Sequence, residues 1–380
     1  MLPTHTSTLF RRKSEAMKLS YLTNGRDNNF TLIRIVAALI VLVDHSFALV
    51  MGTADARPFR ISSHLDLSFL AVDVFFVTSG FLVTRSLLTR QDALEFVWAR
   101  ALRVYPALLV MQFLVVFGLG LHLTTLPWKS YVMSIQTLTY WVKGSTLVTG
   151  LVTMLPGVFE HNPFNNSVNT SLWTLPYEIG MYAILAGIWT ILSALLQRRV
   201  RAFKMTIVSC AAGATLFLLL SQAYLMPDWQ FLRLLVMFLS GAAMYAAQAR
   251  MVLSRGVFWP LLVIVPLMSM LGEPVLFGAY VLALPYLVLY LAYIPSGFVR
   301  QYNQLGDYSY GVYIYAWPVQ QAIISLVPGV SIWEMVLISA SMSVALAALS
   351  WHLIEQHALR LKRRSVGYAS QACAPAPSLT

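Results

Sequence analysis

An arginine and a histidine lie inside one apolar stretch near the N-terminus, and their setting is the first in the chain to suggest chemistry. The stretch runs from Asn29 through FTLIRIVAALIVLVDHSFALV to Val50 and contains Arg34 and His45. It is long enough to cross a bilayer, where an ionisable side chain is costly unless it has a partner or lines a cavity. At ~1.5 Å rise and ~3.6 residues per turn, the two side chains stand about 16 Å apart along the axis and return to nearly one face. A buried imidazole resists protonation, so it can accept a proton near neutral pH, as a general base must. Arg34, one turn inside the helix end, either lines a polar path or extends its long side chain to the interface. Asp44 points about 100° away from His45, toward another helix.

Five further places carry ionisable groups. The second apolar stretch, SFLAVDVFFVTSGFLVTRSLL, holds Asp73 at a depth similar to His45, which makes the imidazole a candidate partner. The small pair Ser79-Gly80 in the same stretch permits close helix approach. In EFVWARALRVYPAL, Arg100 and Arg103 stand one turn apart before Pro106. Such a guanidinium pair suits phosphate oxygens, and it equally suits a basic loop facing anionic lipid. In SLWTLPYEIGMY, Glu178 lies in an external half-helix beside Trp173 and Tyr177; it either orients a histidine at matching depth or pairs with Arg233. Arg233 itself is expected to reach outward from an external helix end. Late in the chain, the aromatic run GDYSYGVYIYAWPVQ reads as packing, and Glu355 in SWHLIEQHALRLKRR reads as a helix-end ion pair with Arg360.

The elements that must position these groups are membrane helices. Of 380 residues, 58% are hydrophobic and 11% charged, with mean hydropathy +0.69. Soluble domains are about a quarter charged. Apolar spans of ~17–25 residues fall at about 31–50, 67–86, 104–122, 172–196, 205–225, 230–249, 256–271, 275–293, 308–327 and 331–353. The fold class is therefore all-α, a polytopic bundle of about ten spanning helices. The net charge of +11 follows topology rather than nucleic-acid binding, because basic residues gather on alternate sides of the spans. Arg85, Arg90, Arg100 and Arg103 follow the second span, Arg198, Arg199, Arg201 and Lys204 the fourth, and Arg250 and Arg255 the sixth. Arg300 follows the eighth span, and Arg360, Lys362, Arg363 and Arg364 the tenth. The opposite loops hold Arg57, Arg60, Lys129 and Lys143. That asymmetry assigns both termini to the cytoplasm.

Residues 1–28, with Arg11, Arg12, Lys13, Lys18 and Arg26, read as an unstructured basic arm, 29–360 as the transmembrane domain, and 361–380 as a cytoplasmic tail. No cleavable signal is evident, so the first span reads as an uncleaved anchor. Between 123 and 171, the apolar piece 131–142 is too short to span and reads as interfacial or re-entrant. The loop 149–170, rich in Gly, Pro and Asn, is of the kind that is functional or mobile. Cys210 and Cys373 are too isolated for a disulfide or metal site, and no metal-ligand spacing occurs.

In this order the motifs resemble the acyltransferase-3 family of integral membrane acyltransferases, which includes bacterial glycan O-acetyltransferases. The resemblance covers about 30–360 and rests on IRIVAALIVLVDHS, VDVFFVTSGFLVTRSLL, RALRVYP, SLWTLPYEIGMY, GDYSYGVYIYAWPV and SWHLIEQHALR. There are departures. The ninth-span motif commonly carries a histidine before its proline, where this chain has Trp317, and Gln356-His357 replace the usual lysine and proline after Glu355. The fused extracytoplasmic esterase-like domain of some relatives has no counterpart, so transfer is expected without it. The family implies transfer of an acyl group, usually acetyl from acetyl-CoA, to a carbohydrate hydroxyl. Acyl-CoA is then a donor substrate rather than a bound cofactor, and the partners are a carbohydrate or glycoconjugate acceptor and membrane lipids. On that resemblance Arg100, Arg103, Arg34 and Ser79 are expected at the acyl-CoA. His45 is expected as general base, or as a transient acyl carrier, with Glu178 or Asp73 orienting its imidazole. The rival is a glycan transporter or flippase, for which midplane charges and breaks at Pro266, Pro285 and Pro318 would serve passage.

Overall fold

The computed structural model describes residues 16–25, 27–56, 58, 60–62, 65–147, 150–164, 166–221 and 229–362. Arg11, Arg12, Lys13, Arg26, Arg57, Arg363, Arg364, Cys373 and the tail beyond Lys362 lie outside them. Among the described residues the chain is predominantly helical, with only short two- and three-residue strands. Its ten main helices are α1 (Phe30–Met51), α2 (Leu67–Arg90), α3 (Ala93–Leu123), α4 (Ser171–Leu195), α5 (Arg199–Leu220), α6 (Trp229–Ala246), α7 (Arg255–Leu271), α8 (Glu273–Tyr293), α9 (Ser309–Leu326) and α10 (Ile332–Lys362). Among the described residues, eight of them are long and apolar enough to cross a membrane. The exceptions are α7, which is shorter, and α9, whose serines, glutamines and tyrosines lower its apolarity. The expected helical bundle is therefore present.

Two compact units divide the chain, and the division falls inside α1 and α4. The first comprises 1–41, 59–89 and 187–307. Within it α2 and α6 touch backbone to backbone. A Cβ on Gly80 would lie 1.9 Å from the Phe238 carbonyl oxygen, and one on Gly241 would lie 2.1 Å from that of Val77. Only glycine permits this approach, which bears out the reading of Ser79-Gly80. The described part of the basic arm is structured. Met17–Lys18 (β1) pairs antiparallel with Val252–Leu253 (β4), and Leu19 is fully buried against Phe30, Phe81 and Tyr293. Apolar Leu19 draws this segment in despite its basic neighbours. Asn29 then ties the start of α1 to the end of α8, donating to the carbonyls of Leu291 at 3.0 Å and Pro295 at 2.9 Å. A second small hairpin, Arg60–Ser62 (β2) with Leu65–Asp66 (β3), precedes α2.

The second unit comprises 42–58, 90–186 and 308–380. Its axis is α9, in which every residue from Ser309 to Gln321 is buried. Helix α3 starts earlier than the apolar pattern implies, because Asp92 caps it by accepting from the Glu95 N–H at 2.7 Å. Arg100 and Arg103 are therefore helical residues, not loop residues, and Pro106 sits inside the helix. A π-helical stretch, Leu114–Gly120, precedes the last turn of α3, and a π-helical turn, Trp351–Glu355, interrupts α10. The expected interfacial piece forms two short helices, Trp128–Val132 and Ile135–Thr146. They leave Trp128, Met133, Ile135 and Leu138 exposed.

Candidate active site

One face of α9 after another receives the polar side chains of the second unit. At Trp317 it meets His45: the two rings are 4.8 Å apart, edge to face at 75°. The indole is held in turn by its N–H, which donates to the Ser167 carbonyl at 3.1 Å, and by the Phe164 ring at 5.5 Å. One turn on, Gln320 donates to the Leu42 carbonyl at 2.8 Å and to Ser46 Oγ at 2.7 Å. These bonds clamp the turn of α1 that carries His45, so the imidazole is presented by a segment whose register against α9 is set.

From Asn162 on, the described residues of the Gly-, Pro- and Asn-rich loop run down α9. Asn162 donates to the carbonyl and the side chain of Gln321 (3.0 and 2.7 Å), while Gln321 donates to the carbonyls of Phe164 and Ser167, each at 2.8 Å. Asn169 donates to the Ile314 carbonyl at 3.0 Å. That carbonyl is available because Pro318, four residues on, has no N–H to fill it. Tyr313 then donates to the Ser171 carbonyl at 2.5 Å and meets the Thr174 hydroxyl at 2.8 Å. The partners on α9 thus fall from Gln321 to Tyr313, eight residues or about 12 Å of descent. Non-helical backbone can lie at such depth only when protein groups satisfy it, as the side chains of Gln321, Trp317 and Tyr313 do for the carbonyls of Phe164, Ser167 and Ser171.

Because α4 begins at the foot of that descent, Glu178 lies deeper than an external half-helix. It accepts a short hydrogen bond from Tyr182 and stands within electrostatic reach of Arg100, Tyr310 and Tyr313. Beyond it Arg103 donates to Glu355 at 2.9 Å and lies over the Tyr310 and Trp351 rings, 5.7 Å from each. Glu355, in the π turn of α10, is buried and also accepts from Ser350 at 3.2 Å. Its ion partner is therefore Arg103 and not Arg360, the neighbour suggested by sequence. Tyr310 donates to the Val104 carbonyl at 2.9 Å, joining α9 to α3 at the same level.

The remaining expected site residues belong to the first unit. Arg34 donates to Asp307 at 2.6 Å and lies 5.8 Å from the Phe75 ring. Asp307 escaped the sequence reading, although a cation in an apolar helix demands an anion and the motif GDYSYG contains one. Asp73 accepts from Arg233 at 3.0 Å and from Tyr280 at 2.7 Å on one carboxylate oxygen. Arg233 does not reach outward: it is fully buried, with its guanidinium carbon 4.4 Å from the Phe69 ring and 5.2 Å from that of Trp229. The carboxylate of α2 and two aromatic faces hold the guanidinium more favourably than the helix end would. Tyr280, an ordinary aromatic in an apolar helix, carried no signal. Ser79 stands beside the Gly80 contact of α2 with α6.

A membrane bundle built around a histidine, a cation cluster and a polar spine has the makings of a transferase, and sequence comparison agrees. The chain belongs to the acyltransferase-3 family, whose model, described as an acyltransferase domain, matches residues 27–354. Curated relatives include an O-acetyl transferase of Shigella phage Sf6, 27% identical over 349 residues that cover 88% of this chain and 96% of that protein. Nodulation protein 10 of Rhizobium leguminosarum bv. viciae is 28% identical over 371 residues, 90% of this chain and 95% of that one. No solved structure matches. The protein is thus a multi-pass membrane acyltransferase.

Proposed function

We propose that the protein transfers an acyl group, acetyl in the first instance, from acyl-CoA to a hydroxyl of a carbohydrate or glycoconjugate at the cytoplasmic membrane. His45 takes the hydroxyl proton as the oxygen attacks the thioester carbonyl; the tetrahedral intermediate collapses, the C–S bond breaks, and the proton passes to the departing thiolate. The observation that carries this reading is the clamped packing of His45 on Trp317. From there to the level of Tyr310 and Arg103 is seven residues of α9, about 10 Å. A slender pantetheine arm along that face would put the thioester near His45 and the phosphates near Arg100 and Arg103. Glu178, within electrostatic reach of Arg100 and Tyr310, is the carboxylate we assign to balancing charge at the inner end of the path. Asp73 we assign instead to holding the first unit together, and Arg34 to its pair with Asp307. The names of the relatives support acetyl as the group moved, and the basic loops support cytoplasmic termini.

The test is acetyl transfer by purified protein in lipid nanodiscs, with labelled acetyl-CoA and a bacterial surface glycan extract. His45→Ala is expected to abolish transfer while the variant still inserts and purifies as a single species. Retained turnover, or glycan movement with no acyl-CoA consumed, would overturn the assignment.

A further inference from the structure

Arg100 and Arg103 are unequally placed for a phosphate. Arg103 is already committed to Glu355 and to two aromatic rings. Arg100, one turn nearer the start of α3, buries its Nε with no hydrogen-bond partner among the described residues. The Arg103–Glu355 bridge sets the last turns of α10 beside the first turns of α3, running the other way. Seven residues past Glu355, two turns and so nearly the same face, α10 reaches Lys362. The charge of Lys362 feels Arg100 most, then Arg90 and Arg103. Four cations from three helices therefore meet in the second unit. Glu95 offsets Arg90 at 3.4 Å, Glu355 offsets Arg103, and Glu178 lies within reach of Arg100. A lipid-facing basic fringe would spread its like charges over solvent-exposed positions. Here Lys362 is brought in toward Arg100, whereas Arg360, five residues past Glu355 and so well round the helix, is exposed.

We infer that Lys362 joins Arg100 in binding the phosphates at the nucleotide end of the acyl donor, while the Arg103–Glu355 bridge holds α10 so that the two stand together. A guanidinium fork with a neighbouring ammonium matches a phosphate group, the fork for its paired oxygens and the ammonium as a point charge. The inference rests on acyl-CoA being the donor, and the experiment separates the two claims.

Initial rates are measured with acetyl-CoA and with S-acetylpantetheine, which carries the same thioester and arm without phosphates. Lys362→Gln is expected to raise KM for acetyl-CoA about tenfold, the scale of one charge-assisted hydrogen bond, with little change in kcat and no change toward S-acetylpantetheine. Arg360→Gln, which removes an equal charge from another face of the same helix, is expected to leave both donors unaffected. An equal effect of Lys362→Gln on both donors, or none on either, or the same effect from Arg360→Gln, would overturn the site. Wild-type protein that turns over neither thioester would instead overturn the donor reading beneath it.

Discussion

Replacing Asp73 with alanine strips a fully buried guanidinium of its anion. Arg233 and Asp73 are each 0% exposed, so no solvent can take over, and the Tyr280 hydroxyl loses its acceptor as well. Breaking a buried pair by removing one partner costs about 3–5 kcal/mol, because the surviving charge stays buried and uncompensated. The Phe69 and Trp229 rings keep their hold on the cation, worth about 0.5–2 kcal/mol. That contribution is present in both proteins and does not lessen the loss. Asp73→Ala should therefore lower the thermal midpoint of the detergent-solubilised protein and reduce its yield. The double variant Asp73→Ala/Arg233→Leu removes both charges and should recover most of that loss, since an apolar replacement of a buried pair is close to neutral. The assay is thermal unfolding followed by intrinsic fluorescence, with acetyl transfer measured on the same samples. The reasoning fails if Asp73→Ala unfolds at the wild-type midpoint. It fails equally if the double variant is as stable as wild type yet inactive, since Asp73 would then serve the chemistry rather than the fold.

Two smaller perturbations probe the supports of each unit. Gly80→Ala places a methyl group 1.9 Å from the Phe238 carbonyl oxygen; α2 and α6 must part, at a cost of about 1–3 kcal/mol or more. Size-exclusion profiles should show less monodisperse protein, and an unchanged profile would contradict the close contact. Gln320→Leu leaves the side chain of Ser46 without its buried donor, about 1–3 kcal/mol, and releases the turn that presents His45. Its turnover should fall while KM for the donor holds; a variant with wild-type kcat would show that the clamp is not needed.

The apolar lengths, the alternation of basic loops and the ordered motifs were legible in the sequence, because each is set locally. A bilayer accepts only backbone that satisfies itself, so a run of some twenty apolar residues already specifies a helix. The same residues could not say which helix meets which. In an apolar chain nearly every helix face is suitable for contact, and the choice falls to a few polar groups and small residues whose partners lie far away in sequence. Gly80 could be flagged because a missing side chain is visible at once, but that Gly241 would stand opposite it could not.

The partners of the charged residues show the same limit. Arg34 and Asp73 were visible as buried charges in need of counter-charges, yet Asp307 and Arg233 are 273 and 160 residues away. Glu355 lay beside Arg360 in sequence and pairs with Arg103 across two helices, since five residues turn Arg360 away from it. Glu178 was misjudged in depth because apolar length cannot reveal that the preceding loop descends along α9. That descent depends on Gln321, Trp317 and Tyr313 donating to the loop's carbonyls, on Asn162 and Asn169 tying the loop to α9, and on Pro318 freeing a carbonyl for Asn169. What the sequence determined by itself was the class of protein and the presence of a histidine and cations in the helices. What only the tertiary structure decided was which charges are spent on holding helices together and which are left near His45, because that division is made by contacts between segments and not within them.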